Sequence, residues 1–199
     1  MKIKDIIIAS NNKGKIAEIK HILTPLGVNI CSMQEKGIYV AVEEDGNSFQ
    51  ENAIKKAMTV CKVANEWTLA DDSGLIVQAL GGRPGIYSAR FAGLNASDED
   101  NRRKLLDMMR DVPWDKRKAF FYCCVALVSP DGYVIMADGR CDGYIAYEEM
   151  GSDGFGYDPV FLIPEYNKTF AQLDISVKNE MSHRARALDA LKDKIKDYV

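Results

Sequence analysis

The chain has 199 residues, of which 47% are hydrophobic and 28% are charged, and its formal net charge is −3. This composition predicts an ordinary globular protein that forms one domain, or two lobes sharing a sheet, without internal repeats. The slightly acidic balance argues against a surface for nucleic-acid polymers, because proteins that bind duplexes usually carry a basic stripe. Any affinity for phosphate must therefore be local.

None of the five cysteines lies in a CxxC arrangement; they are Cys31, Cys61, Cys123, Cys124 and Cys141. An odd number without that spacing favours reduced core thiols over a zinc site or a redox pair. Near the start, the apolar run Ile6 to Ala9 is too short for a signal peptide or a membrane span. We therefore expect a cytoplasmic protein that does not contact membranes.

The first predicted elements are a short buried strand, Ile6 to Ala9, a polar loop and a helix. The loop residues are Ser10, Asn11, Asn12, Lys13, Gly14 and Lys15. Free N–H groups at a helix start bind anions, and both loop lysines are within reach of a phosphate bound there. Because the loop lacks the Walker pattern, a capped helix start with solvated lysines stays an open alternative. The buried face of the helix is predicted to carry Ile16, Ile19 and Leu23.

A second strand is predicted at Val40 to Val42, before a turn at Gly46. It ends in three acidic residues, Glu43, Glu44 and Asp45. The next helix starts near Phe49, because Ser48 and Glu51 have the spacing of a capping box.

The buried side of this second helix is predicted to carry Phe49, Ala53, Ala57, Val60 or Cys61, and Ala64. On that assignment Lys55 and Lys56 lie on or near the exposed flank, where lysines are usually only solvated. Lys56 becomes interesting if the helix start faces Asp72.

Two adjacent carboxylates, Asp71 and Asp72, follow a predicted strand at Trp67 to Ala70 and precede a glycine-rich tight loop. Neighbouring like charges resist burial unless a metal cation, a cationic side chain or water lies beside them. The pair is therefore the predicted centre of the chemistry.

The middle of the chain is predicted to be structural. A helix runs from Ser97, its cap, to Met109. A long apolar run, Phe120 to Ser129, is followed by a Pro-Asp-Gly turn and a returning strand, Tyr133 to Ala137, which predicts a β-hairpin. The two adjacent cysteines of this run pack as small apolar side chains and are not catalytic.

A second glycine-rich loop, Gly151 to Pro159, leads into a strand at Val160 to Ile163. Backbone brought close to a flat ligand, with an aromatic ring stacked on it, and a tight turn with two core rings explain this loop equally well. An amphipathic helix closes the chain, with His183 and Arg184 near its first turn. Such a His-Arg pair offers fixed donors to a carbonyl-bearing ring, although a lone histidine is more often structural.

The strand-end carboxylates are hard oxygen ligands without a histidine or cysteine cluster, which favours Mg²⁺, or Mn²⁺, over zinc. A metal with open coordination positions, an anion-binding loop and several lysines suit a nucleoside triphosphate. A covalent mechanism is disfavoured, because the sequence has no GxSxG elbow and only two histidines.

Five stretches, in order from about Ile6 to Leu188, together resemble the Ham1-type inosine triphosphate pyrophosphatases. They are SNNKGK, EEDG-SF-ENA, ADDSGL with LGG-PG-YSARF, GFGYDP, and SHR-AL. The resemblance implies an α/β fold, an elongated mixed sheet flanked by helices, in two lobes with a central active-site cleft and no separable linker. It also implies a homodimer and Mg²⁺-dependent hydrolysis of ITP, dITP and XTP to the monophosphate and pyrophosphate.

The resemblance carries roles over to individual residues. It implies Glu44 and Asp72 as metal ligands, with Glu43 as the alternative in a shifted register, and Asp72 also as the general base supported by Asp71. It implies substrate contacts for Ser10, Asn11, Asn12, Lys13, Gly14, Lys15, Lys56, Ser73, Phe155, Gly156, Tyr157, Asp158, Lys178, His183 and Arg184. Asp153 departs from the family, which more often has glycine there, and Arg83 fills a variable position.

Everything in this interpretation depends on Glu44 and Asp72 converging on one divalent ion. Two alternatives stay open: a pyrophosphatase for other modified nucleotides, similar to the Maf-like enzymes, and a nucleotide sensor without catalysis. The sensor would bind the triphosphate without metal carboxylates organised for catalysis, so Glu44 and Asp72 argue against it.

Overall fold

The computed structural model describes residues 2–199. Its strands are β1 (Asp5–Ile8), β2 (Asn29–Ser32), β3 (Thr68–Val77), β4 (Lys118–Val128), β5 (Val134–Ile145), β6 (Phe161–Ile163) and β7 (Lys168–Thr169). Within those residues they form one seven-stranded sheet in the order β2-β1-β3-β4-β5-β6-β7. The sheet is mixed, because β1 is parallel to β2 and β3 whereas β6 is antiparallel to β5 and β7.

The helices are α1 (Lys13–Leu23), α2 (Phe49–Ala64), α3 (Asp98–Met108), α4 (Ile175–Met181) and α5 (His183–Ile195). The predicted α/β class, a mixed sheet with flanking helices, is confirmed. None of the helices in the described part of the chain is long and apolar enough to cross a membrane.

The chain divides into two compact units. The first contains the described residues up to Asp72, together with Cys123–Gly139 and His183–Val199. The second contains Ser73–Tyr122 and Arg140–Ser182. The chain passes from one unit to the other within β3, directly after Asp72.

The core of the first unit is aliphatic. It includes fully buried residues from β1, α1, β3, β4 and α5: Ile6, Ile8, Ile19, Leu23, Leu69, Val125, Leu127, Leu188 and Leu191. The start of α5 lies directly on β5, because a Cβ on Gly139 would overlap the carbonyl oxygen of His183 and the amide nitrogen of Ala187. This contact fixes the helix turn that carries His183 and Arg184.

The core of the second unit contains aromatic rings among aliphatic side chains, with Phe121 and Phe161 in edge contact at 4.6 Å between ring centroids. Arg117 is buried beside this core and donates to the carbonyl oxygens of Met109, Val112, Ile145 and Ala146. Because two of these carbonyls lie just after α3 and the other two lie at the end of β5 and directly after it, the guanidinium group joins the two segments.

Several boundaries differ from the sequence predictions. The predicted strand at Val40 to Val42 is wrong: residues 38–46 are irregular. β3 does not stop at Ala70 but continues to Val77, so both carboxylates lie inside the strand. The short helix α4 was not predicted. The hairpin is confirmed, with Ser129 N–H donating to Tyr133 O at 2.9 Å, and the cap of α3 by Ser97 is confirmed too.

Candidate active site

The polar loop before α1 ends in a capped helix start. The side-chain oxygen of Asn12 accepts the N–H of Lys15 at 3.0 Å, and Ser10 Oγ accepts the N–H of Asn12 at 3.2 Å. Lys13 is exposed at the first helical position, as the capped-helix alternative requires. Lys15 is not simply solvated, however, because its Nζ lies 3.0 Å from Asp71 Oδ2.

Asp71 lies in a buried ionic network that we call the Asp71 cluster: Lys15, Glu18, Asp71 and Arg184. Arg184 donates from Nη2 and Nε to Asp71 Oδ2, at 2.9 and 3.3 Å. Its Nη1 donates to Glu18 Oε2 at 2.5 Å. The cluster therefore contains two acids and two bases, and its formal charge is zero.

Burial by itself would raise the pKa of Asp71, but the charges of Lys15 and Arg184 hold that pKa well below its usual range. Burial likewise opposes the charge on Arg184, whereas Asp71 and Glu18 raise its pKa. Both groups therefore stay ionised, and the cluster is a set of fixed charges.

Asp72 lies in a different network, the Asp72 cluster, made of Glu44, Asn52, Lys56 and Asp72. Lys56 Nζ lies 2.9 Å from Glu44 Oε1 and 3.3 Å from Asp72 Oδ1. Asn52 Nδ2 donates to Asp72 Oδ2 at 3.0 Å. Two carboxylates share one ammonium group, so the cluster has a formal charge of −1.

Helix α2 presents Asn52 and Lys56 on one face, because they are four residues apart. The prediction that Lys56 lies on the exposed flank is wrong: only 9% of the residue is exposed. Ser48 caps the helix as predicted, but the Glu51 carboxylate accepts the N–H of Asn47 and does not close a capping box with Ser48.

Asn52 also fixes the irregular acidic segment. Its Oδ1 accepts the N–H of Gly46 at 2.9 Å, while its Nδ2 holds Asp72. A Cβ on Gly46 would lie 2.6 Å from that Oδ1, so the approach requires glycine. The amide of Asn52 thus ties the segment that carries Glu44 to the strand that carries Asp72.

The pKa of Asp72 is raised, first by burial and further by Glu44, against the opposing charges of Lys56 and Lys15. Lys56 shows the reverse balance: burial lowers its pKa, but Asp72, Asp71 and Glu44 raise it above the ordinary value. The positive charges around Asp72 thus do not fully offset its burial, and a further cation beside it would stabilise the carboxylate.

Within the described residues, no three histidine, cysteine, aspartate or glutamate side chains converge as a ready metal site. The Asp72 cluster instead offers two carboxylates and an excess negative charge. That donor set fits Mg²⁺, which usually takes one or two protein carboxylates and completes its shell with water and phosphate oxygens. It is Glu44, and not Glu43, that the structure brings to Lys56.

The second glycine-rich loop, in the second unit, holds its own ion pair. Lys178 Nζ lies 2.6 Å from Asp158 Oδ2 and 4.8 Å from the ring centroid of Phe155, and both charged groups are buried. Asp158 also accepts the N–H of Phe155 at 2.9 Å. Tyr157 is a core ring whose hydroxyl donates to Ser88 O, and burial raises its pKa. Phe155 and Gly156 are half-buried.

The remaining predicted contacts have mixed positions. His183 is buried at the first position of α5, and Ser73 follows Asp72 in β3 with a half-buried side chain. Arg184 is buried, and its guanidinium group donates to Glu18 and Asp71. Cys123 and Cys124 are buried free thiols, and burial raises the pKa of Cys124 to about 12, which agrees with their predicted lack of reactivity.

Sequence reasoning missed two members of these clusters, Glu18 and Asn52. Asn52 was quoted within the EEDG-SF-ENA stretch but was given no role. Glu18 had one available signal: it is a charged residue beside Ile19 and one turn before Ile22 on the buried face of α1. An acid in that position needs a buried cation.

The chain is similar to known proteins over most of its length. The model of the Ham1 family matches residues 6–194. The dITP/XTP pyrophosphatase of Desulforamulus reducens is 49% identical over 183 residues, covering 92% of this chain and 91% of that protein. The dITP/XTP pyrophosphatase of Clostridium perfringens is 47% identical, with 98% and 99% covered. The solved Staphylococcus aureus Ham1 protein is 42% identical, with a TM-score of 0.86 over 98% of this chain and 100% of that one.

Proposed function

We propose that this chain, which belongs to the Ham1 family, is a pyrophosphatase that hydrolyses dITP, ITP and XTP to the monophosphate and pyrophosphate. Relatives with that activity in their names cover nearly the whole chain. The observation that carries the proposal is the charge imbalance between the two clusters, because an anionic pair of carboxylates beside fixed lysines suits a metal–triphosphate complex.

The phosphates are proposed to bind at the start of α1. The polar loop from Ser10 to Lys15 supplies backbone N–H groups there, and Lys13 adds an exposed ammonium group. Lys15 and Lys56 are held by carboxylates, so their charges are fixed in position before substrate arrives. Prepositioned positive charge is what stabilises a departing pyrophosphate in phosphoryl transfer.

Glu44 and Asp72 are the residues we propose to hold magnesium, with manganese as a substitute. When bound, the ion supplies neutralisation of phosphate charge and a lower pKa for the attacking water. Asp72 is proposed to accept the proton of that water. A carboxylate that helps to hold the ion would lie next to the water bound to that ion, which supports this role.

For the nucleobase, we propose that the half-buried Phe155 supplies the stacking ring and that Gly156 supplies backbone contacts. Tyr157 and Asp158 hold the loop, since one is a core ring and the other is paired with Lys178. His183 and Lys178 are the proposed donors to a 6-oxo group. Arg184 is proposed to support Asp71 and not to contact the base, because its guanidinium group is paired with Glu18 and Asp71.

The test is a substrate panel on the purified protein. Release of pyrophosphate is measured with dITP, ITP, XTP, GTP, ATP and a pyrimidine triphosphate, with Mg²⁺ and with excess EDTA. We expect kcat/KM for dITP and XTP to exceed that for ATP by about 10⁴-fold, because donors aimed at a 6-oxo group oppose the 6-amino group of adenine. EDTA is expected to abolish turnover.

Equal turnover of ATP and ITP would contradict the specificity. A preference for pyrimidine or other modified bases would favour the Maf-like alternative, and tight binding without turnover in Mg²⁺ would favour a sensor. The homodimer and the cytoplasmic location implied by the family resemblance stay proposals. The mass of the purified protein in solution tests the first.

A further inference from the structure

Glu18 is a buried acid on α1 that takes no part in the proposed chemistry. Its side chain is 5% exposed, and its Oε2 accepts from Arg184 Nη1 at 2.5 Å. It follows Lys15 by three residues, so the two side chains project from neighbouring positions on the helix. A buried carboxylate on an otherwise apolar helix face is destabilising unless its charge is paired and hydrogen-bonded.

The partner of Glu18 connects it to the phosphate loop. Arg184 donates to Asp71 Oδ2 through Nη2 at 2.9 Å, and Lys15 Nζ lies 3.0 Å from that same oxygen. Two cations therefore share one carboxylate oxygen. They repel each other, and a second negative charge is needed to keep both in place.

Glu18 provides that second charge, on the far side of Arg184. Without it, Asp71 alone would face two cations, and the cluster would carry a net charge of +1. Arg184 and Asp71 have side chains only 2% and 1% exposed, whereas the side chain of Lys15 is 17% exposed. Lys15 is thus the member that can move away from the excess positive charge.

We propose that Glu18 is a positioning residue: it balances the charge of Arg184, so that Asp71 keeps the Lys15 ammonium group in place for the phosphates of the substrate. The role of Lys15 in this chain of contacts rests on the proposed function. Glu18 itself touches neither substrate nor metal.

A purely structural role is the competing explanation, since the Glu18–Arg184 pair also joins α1 to α5. The two roles differ in what they change. Loss of a structural tie lowers the fraction of folded protein, and therefore the apparent kcat, without altering the affinity of the molecules that remain folded. Loss of positioning lowers phosphate affinity in the folded molecules.

The experiment compares Glu18→Gln with Glu35→Gln. Glu35 is a matched control, because it pairs with Lys20 of the same helix at 2.7 Å but is exposed. Calorimetry measures binding of inorganic pyrophosphate with Mg²⁺, which needs no turnover, and steady-state assays give KM and kcat for dITP. We expect Glu18→Gln to weaken pyrophosphate binding and raise KM about tenfold each, with kcat per folded molecule changed less than threefold. Glu35→Gln should change none of them.

Two further variants keep the outcome decisive. Glu18→Asp retains the charge and should recover most of the affinity. If Glu18→Gln does not fold, the double variant Glu18→Gln/Arg184→Gln restores a neutral cluster of Lys15 and Asp71, and it should fold and bind pyrophosphate within threefold of the parent.

Unchanged pyrophosphate affinity and KM in folded Glu18→Gln would overturn the proposal, as would a double variant that folds but binds pyrophosphate tenfold more weakly. Either result would leave the proposed function intact if the parent protein hydrolyses dITP. Conversely, a parent that binds pyrophosphate but does not turn over dITP would contradict the function and still allow the positioning role to be measured.

Discussion

The Asp71 and Asp72 clusters form around adjacent residues of one strand, but the Asp71 cluster is neutral whereas the Asp72 cluster carries an excess negative charge. Successive side chains of a strand point to opposite faces, so each aspartate meets its own set of partners. Asp71 is paired with two cations whose charge is balanced by Glu18. Asp72 shares one lysine with a second carboxylate.

This difference in charge balance gives Asp71 a supporting role and leaves Asp72 as the proposed reactive group. The pKa of Asp71 is held well below its usual range, so this carboxylate is a permanent anion that orders its neighbours. The pKa of Asp72 is raised, so its charge is less fully compensated in the folded protein and a cation beside it would stabilise it. A pair of acidic residues that looks uniform in the sequence thus contains one structural and one proposed catalytic group.

The largest effect is expected for Asp72→Asn. The amide keeps the size of the side chain but can neither accept the proton of water nor bind metal as a carboxylate, so kcat for dITP should fall about 10³-fold. Stability in metal-free buffer should be unchanged or increased, because the folded state no longer holds an unfavourable charge. Pyrophosphate release and thermal unfolding measure the two quantities.

The control for that variant is Asp45→Asn, which removes an exposed acid from the neighbouring irregular segment, where it pairs with Lys55. It should leave kcat within threefold of the parent. Turnover of Asp72→Asn close to that of the parent would remove Asp72 from the chemistry.

Asp71→Asn should show the opposite pattern, a loss of stability. Removing one partner of a buried ion pair leaves Lys15 and Arg184 undercompensated and should lower the free energy of unfolding by about 3 kcal/mol. Denaturant titration at neutral pH measures this loss. A variant as stable as Asp72→Asn would mean that the two clusters are equivalent.

The pH dependence of stability distinguishes the two aspartates further. The folded-state pKa of Asp71 is lowered, so its ionised carboxylate stabilises the folded protein. This stabilisation is complete above the unfolded pKa of about 3.9 and is lost as the pH falls through the folded-state pKa. The folded-state pKa of Asp72 is raised, so its ionisation costs stability at neutral pH and the cost disappears on acidification. The difference in the free energy of unfolding between Asp71→Asn and the parent should therefore shrink only in strong acid. The difference between Asp72→Asn and the parent should shrink at a milder pH.

Sequence patterns located the elements better than they located the charges. The strand and helix around the first loop follow from apolar periodicity, and they were predicted correctly. The polar Asp71 and Asp72 interrupt the apolar run of β3, so the strand was ended too early, although the backbone ladder continues. Lys56 was assigned to an exposed flank because a lysine is normally solvated.

What the sequence could not supply is the distant partner that makes burial of a charge possible. Arg184 lies 113 residues from Asp71 and 166 residues from Glu18, so no local pattern connects them. The resemblance to a family pointed to Asp72, Glu44 and Lys56 together. It gave no reason for Glu18 or Asn52, whose roles appear only when their contacts are known.

The smallest effect we predict tests whether the Asp72 cluster needs its amide clamp. In Asn52→Ala, Asp72 Oδ2 loses a donor and Gly46 loses the acceptor that fixes the acidic segment, so Glu44 and Asp72 should hold metal less precisely together. Outer partners of metal ligands typically change affinity or activity by 10- to 100-fold, and here we expect about tenfold in kcat/KM, partly restored by high Mg²⁺. Lys62→Ala, which removes an exposed side chain near the end of the same helix, is the control and should stay within twofold. Restoration by Mg²⁺ is the decisive measurement. A loss of activity that added Mg²⁺ does not reduce would mean that Asn52 supports α2 in general and has no specific role beside the proposed metal ligands.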